Sequence, residues 1–201
     1  MRIIALAGRL IGNRRIALRR LWELLTVPVA VWFLLNSRSI HPAYGMNWLK
    51  KMKLGLRMFV NTILIQSGSS FRGHLAIALK LLETPPDVKG VAVECGSWKG
   101  CSAANLSLIC KLVGRQLKVF GSFQGLPPPL QEGLFCGSLE EVKENVRRHG
   151  AIECCEFIPG WFDDTLPELN EPVLLAWLGD PRRAKWAIEQ ALSLARHPTA
   201  P

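Results

Sequence analysis

Apolar and polar positions alternate in two different ways along this chain, and the change falls near residue 90. Upstream, the apolar residues recur at helical intervals. A run from Leu21 to Leu35 is interrupted only by Glu23, Thr26 and Pro28. A turn near Ile40–Gly45 leads into a basic helix predicted over about Asn47–Leu64, then a Ser/Gly loop at Ser67–Ser70. The next helix is predicted over about Arg72–Leu82, with Leu75, Leu79 and Leu82 on one face and Thr84-Pro85-Pro86 as its stop.

Downstream, short apolar runs alternate with helical patterns. Gly90–Cys95 reads as a strand that enters the turn Gly96–Ser102. A helix follows with Leu106, Ile109, Cys110 and Val113 in phase and Gly114 at its end. Leu117–Phe120 is a second strand, followed by a Gly/Pro-rich loop over Gly121–Pro129. Ser138 and Glu141 form a capping-box pattern at the start of a helix carrying Leu139, Val142 and Val146. A third strand is predicted over Ile152–Ile158 and a fourth over Val173–Leu178. Asp180-Pro181 then opens a helix bearing Ile188, Ala191, Leu192 and Ala195. Parallel strands need crossover connections, so this alternation predicts an α/β fold with a parallel sheet of about four strands behind an α-helical extension. The predicted boundary divides residues 1–84, a basic helical extension, from residues 85–201.

In such sheets ligands bind at the carboxyl ends of the strands. The turn after the first strand is the natural place to look. Gly96 and Gly100 allow close backbone approach, Ser97 and Ser102 supply hydroxyls, and a helix N-terminus supplies unpaired N–H groups. The turn matches neither the dinucleotide-binding glycine pattern nor a phosphate loop, whose lysine is missing. A tight strand-to-helix turn with no ligand is the competing reading.

Charge alters the picture for the first part only. Of 25 Lys and Arg, 11 lie in residues 1–57 against a single acid, Glu23, although the net charge of the whole chain is only +9. Residues 58–201 are close to neutral, so the basic residues are not spread over the folded part as nucleic-acid binding would require. Arg14, Arg15, Arg19 and Arg20 lead directly into the apolar run. That run is shorter than the roughly 20 residues of a single spanning helix, and no convincing small-x-small cleavage site follows it. Three readings stay open: a helix packed on the main domain or on a second subunit of a homo-oligomer, a peripheral membrane contact through residues 9–35, and a spanning anchor. Six cysteines without a C-x-x-C pair read as reduced thiols in a cytoplasmic protein.

Three ordered motifs narrow the field. They are Val93-Glu94-Cys95-Gly96-Ser97-Trp98-Lys99-Gly100-Cys101-Ser102, then Val119-Phe120-Gly121-Ser122-Phe123-Gln124-Gly125-Leu126-Pro127, then Gly160-Trp161-Phe162-Asp163-Asp164-Thr165-Leu166-Pro167. Together, over roughly Leu75–Asp180, they resemble the macrocin O-methyltransferase (TylF-type) family of S-adenosylmethionine-dependent enzymes, which methylate sugar hydroxyls of natural products. The resemblance implies a Rossmann-like class I methyltransferase sheet and a small-molecule hydroxyl acceptor. It implies that Glu94, Gly96, Ser97, Gly100 and Ser102 cradle the methionine part of the cofactor. Ser122 and Phe123 would lie along the ribose and adenine, and Gly160, Trp161 and Phe162 would border the adenine. The chemistry then needs an acceptor hydroxyl held in line with an activated methyl group, and a route for its proton.

The departures from the family pattern fall at functional positions. Gly121 stands where the family has an Asp that grips the ribose hydroxyls, and Gln124 where it has Glu. Losing such hydrogen bonds costs on the order of 1–3 kcal/mol, a weakening of roughly tenfold to a hundredfold. On the fourth strand the family's carboxylates for Mg²⁺ and proton removal reduce to Asp180, the one candidate here for catalytic base and metal ligand. The same Asp before Pro suits a helix N-cap. The family pattern continues beyond the last residue of this sequence, so the resemblance implies a truncated sheet with the fourth strand as an exposed edge. The four histidines are dispersed, with His74 opening a helix and His149 closing one. Two functions follow: a methyltransferase of this type, or an inactive relative that docks on a membrane or a protein partner.

Overall fold

The computed structural model describes residues 14–125 and 135–179, with side chains from residue 25 onward. Three helices lead: α1 (Arg14–Asn36), α2 (Trp48–Leu64) and α3 (Phe71–Glu83). The alternating part then runs β1 (Val91–Cys95), α4 (Cys101–Val113), β2 (Leu117–Gly121), α5 (Leu139–His149), β3 (Cys155–Pro159), α6 (Phe162–Thr165) and β4 (Val173–Leu178). All strand pairs are parallel, in the order β3-β2-β1-β4. The chain therefore steps outward from β1 to β3 and returns to the other side of β1, so the switch of direction lies between β1 and β4.

Local chemistry sets the helix limits. Asn47, Ser70 and Ser138 accept backbone N–H groups at the starts of α2, α3 and α5. Gly114 ends α4 in the left-handed conformation at φ +68°. The Ser138 half of the predicted capping box forms, whereas the Glu141 carboxylate accepts from Lys99 at 2.6 Å. The third strand needs correction. Ile152–Cys154 form a 3₁₀ turn and the strand begins at Cys155, because its partner β2 offers its first position, Leu117, opposite Cys155.

Side-chain alternation divides β1 between two cores. Val91, Val93 and Cys95 face a small cluster with Phe120, Leu166 and Leu169. Ala92 faces the main cluster, where Leu75, Leu79 and Leu82 of α3 and Leu106, Ile109 and Cys110 of α4 meet Leu117 and Val119. The same cluster takes in Leu54 and Met58 of α2 and Leu34 of α1, and so runs across residues 84–90.

The apolar run 21–35 lies within α1, which continues through Pro28. Leu34 is buried against Gly55, where an added Cβ would stand 3.2 Å from the leucine. Buried Lys51 donates to the carbonyls of Leu35 (3.3 Å) and Ser37 (2.8 Å), closing the end of the helix. On the outer side Leu25, Val29, Trp32 and Phe33 are each more than 60% exposed. Among the described residues no helix is long and apolar enough to cross a membrane. The predicted helix after Asp180 lies outside the described residues.

Candidate active site

The four strands end together, and a cavity of about 500 Å³ opens above their carboxyl ends. Hydrogen bonds continue past the strands: Gly96 N to Phe120 O (2.9 Å), Gly160 N to Gly121 O (3.0 Å) and Gly179 N to Cys95 O (2.8 Å). Each strand thus leaves the sheet through a glycine. At the switch point the two backbones nearly touch. A Cβ on Gly179 would stand 2.6 Å from Gly96 O, and Gly96 itself lies at φ +91°.

Of the residues singled out from sequence, Gly96, Ser97, Ser102, Ser122, Phe123, Gly160, Trp161 and Phe162 all line this cavity. Gly100 is not in the lining. It caps α4 at φ +82°, and an added Cβ would approach Val142 O of α5 to 3.1 Å, so its bareness serves helix packing. Glu94 lies one layer below the lining and is fully buried on the α4 face of β1. Ser102 Oγ donates to its Oε1, while Glu94 Oε2 and the buried Ser97 Oγ have no hydrogen-bond partner among the described residues. Ser97 stands close enough to temper the carboxyl without reaching bonding geometry. Burial dominates and pushes the carboxyl up to about 7, against the opposing pull of the two serines. Asp180 lies outside the described residues. Among the described residues no group of three or more His, Cys, Asp or Glu side chains could hold a metal ion.

The cavity has a second wall that sequence reasoning missed. The loop Gln66–Ser69 between α2 and α3 borders it, as do Trp177 and Leu178 of β4. Trp98 and Phe135 stack edge to face at 5.0 Å on the rim, where the indole also donates to Cys136 O at 3.1 Å. The Ser-Gly-Ser-Ser run was the available signal for the loop, but it reads equally well as a connector and an N-cap. Gly121 also lines the cavity.

An orphaned buried carboxylate oxygen, an orphaned hydroxyl and a floor of bare glycines together fit a polar ligand with a cationic group. A cation beside Glu94 would favour its ionised form and supply the missing partner.

Residues 74–178, more than half the chain, match the family model described as macrocin-O-methyltransferase (TylF). The chain is 34% identical to the 8-demethyl-8-(2,3-dimethoxy-alpha-L-rhamnosyl)-tetracenomycin-C 4'-O-methyltransferase of Streptomyces olivaceus, over 40% of this chain and 38% of that protein. It is 30% identical to the demethyldecarbamoylnovobiocin O-methyltransferase of Streptomyces niveus, over 56% of this chain and 54% of that protein. The chain thus spans about half or less of the curated relatives it matches. Among solved structures, the O-methyltransferase NovP aligns with a TM-score of 0.47 at 20% identity, covering 85% of this chain and 78% of that one. Cofactor-bound Rv0187 from MTB aligns with a TM-score of 0.41 at 17% identity, covering 95% and 65% respectively.

Proposed function

Because the chain belongs to the macrocin O-methyltransferase (TylF) family, we propose that its cavity binds S-adenosylmethionine and that the protein is a cytoplasmic O-methyltransferase. Its acceptor is a hydroxyl of a sugar or polyhydroxylated natural product. The observation that carries this reading is the glycine-lined crevice at the ends of β1 and β4, with the unpartnered Ser97 oxygen in its lining and that of Glu94 one layer beneath. The bound cofactor supplies an activated methyl group. Gly96 admits its close approach to the backbone, Gly179 lets β4 close up against β1, and Ser97, with the buried Glu94 carboxyl one layer beneath, provides an acceptor for its amino group. Trp161, Phe162 and Phe123 offer the ring faces that shield the crevice from water. Asp180 is the proposed base; alone it does not make a Mg²⁺ site, which takes several oxygen ligands.

Calorimetric titration with S-adenosylhomocysteine tests the reading. Micromolar binding is expected, and a folded chain that binds nothing would sink it. With an acceptor in hand, Asp180→Asn should lower turnover at least about a hundredfold while leaving cofactor affinity unchanged. Equal turnover would remove Asp180 as the base.

A second reading has its own observation. No Asp or Glu occurs between Glu23 and Glu83, and the outer faces of α1 and α2 expose Leu25, Trp32, Phe33, Leu56 and Ile63. Apolar side chains in an acid-free, basic setting suit an anionic membrane surface, on which even a catalytically inactive relative would dock. Flotation with anionic but not neutral vesicles, lost at high salt, is the expected result. Equal behaviour with both would count against it.

A further inference from the structure

A row of polar side chains crosses the main apolar cluster and ends at the cavity. Asn61, His74 and Asn105 are almost fully buried there. Asn61 Nδ2 donates to Asn105 Oδ1 at 2.8 Å and to His149 O at 3.1 Å. Asn105 Nδ2 lies 3.3 Å from Met58 O, which can only accept, so this nitrogen is the donor end of the amide. The same nitrogen lies 2.9 Å from His74 Nδ1, which must therefore accept. The ring then carries its hydrogen on Nε2 and donates to Ser69 Oγ, 2.5 Å away. Burial, which pushes the imidazole down to about 4, keeps it neutral.

Direction passes on from there. Ser69 Oγ has accepted from the ring, so its own hydrogen turns towards Ser67 Oγ at 3.0 Å. Ser67 Oγ also receives Ser69 N at 3.1 Å. Ser67 is left with one hydrogen to give, and its hydroxyl borders the cavity. The Cys101 thiol beside it is only a weak acceptor. Helix capping does not require this arrangement, since Ser70 caps α3 without help from His74. A chain of aligned hydrogen bonds in a low-dielectric core strengthens its last donor.

We propose that Ser67, backed by Ser69, forms a hydrogen-bond-donating subsite for a carboxylate oxygen in this cavity, and that His74 is the positioning residue that sets its polarity. The proposal rests on the reading of the cavity as the cofactor and acceptor site. Two sources could bring such an oxygen: the amino-acid part of the cofactor, or the acceptor molecule.

The test uses the full chain, with thermal melting to confirm that each variant folds. Long-range ¹H–¹⁵N NMR of the histidine rings should show His74 as the neutral Nε2–H form from pH 6 to 8. An Nδ1–H ring would overturn the proposal. S-adenosylhomocysteine and 5′-methylthioadenosine, which lacks the carboxylate, are then titrated. If the cofactor is the source, Ser69→Ala and His74→Leu should bind the first about tenfold more weakly and the second unchanged. His74→Gln, which keeps a donor near the Nε2 position, should recover most of the loss. If the acceptor is the source, both nucleosides bind as in wild type and the acceptor KM rises at constant kcat. Equal losses for both nucleosides, or no loss in any arm, would overturn the proposal. Should wild type bind neither nucleoside, the cofactor reading fails separately. L-methionine then serves as the probe: amide shifts at Ser67 and Ser69 that vanish in Ser69→Ala uphold the subsite, and their absence overturns it.

Discussion

Glu94 and His74 are both buried beside the cavity, and they titrate in opposite senses. Glu94 is raised from 4.5 to about 7, so between these values the folded protein holds a proton that the unfolded chain has released. Stability contributed by this proton is present at low pH and lost as pH rises through 7. His74 is lowered from 6.5 to about 4, so the unfolded chain protonates first and stability falls as pH drops through that range. The two slopes oppose each other between about pH 4.5 and 6.5. Subtracting one variant isolates one of them. The stability of Glu94→Gln relative to wild type should rise from pH 5 to pH 8, by on the order of 2–3 kcal/mol. Urea denaturation at a series of pH values measures it, and a flat difference would show that Glu94 does not titrate within the fold. Gly121 allows a gain rather than a loss. The nearest atoms to an added Cβ belong to the Phe123 ring, at 3.6 Å and beyond, so the first atom of an Asp side chain makes ordinary contact there. A carboxylate there, which the resemblance of the sequence motif implies, should tighten S-adenosylhomocysteine binding roughly tenfold. Unchanged affinity in the calorimeter would mean that the ribose does not reach β2. Both positions could be singled out from sequence, since they stand in the family motifs. The His74 network could not, because its partners Asn61 and Asn105 are far away in the chain and carry no pattern of their own.

Elements were legible where their signals are local. The starts of α2, α3 and α5 follow from Asn47, Ser70 and Ser138, and the end of α4 from Gly114. β4 matches its predicted limits, Val173–Leu178. The start of β3 was not legible, because it depends on where its neighbour begins. The attachment of α1 was open as well, since an apolar run does not say what covers it. The structure answers through Leu34, Gly55 and Lys51. Leu34→Ala should therefore lower stability by about 2–5 kcal/mol, whereas Trp32→Ala, on the exposed side of the same helix, should change it by less than about 0.5 kcal/mol. A shift of the urea midpoint at constant slope is the expected form of the loss. Comparable effects from both residues would mean that the outer face is also covered.

At the scale of the molecule, helices and sheet share one apolar cluster. Leu34, Met58, Leu82, Ile109 and Leu117 belong to it, although the change of sequence texture separates the first three from the last two. Composition marks that boundary because charge and periodicity change there, but packing across it is a property of the faces, which pair only in three dimensions. Circular dichroism and tryptophan fluorescence should consequently follow a single, coincident unfolding transition. Two separated transitions would show that the N-terminal helices melt independently.

The cysteines add a practical consequence. Cys95, Cys101 and Cys110 are buried, Cys154 and Cys155 are partly covered, and only Cys136 is exposed. Burial pushes Cys95, Cys101, Cys110 and Cys155 up to about 12, far from the thiolate that alkylating reagents require. Cys136 adjoins Phe135, and its carbonyl is held by the Trp98 indole on the cavity rim. A maleimide dye should thus attach there first, without any engineered residue. It would place a fluorescent reporter at the mouth of the cavity, and the unaltered protein could signal the arrival of a ligand in its own emission.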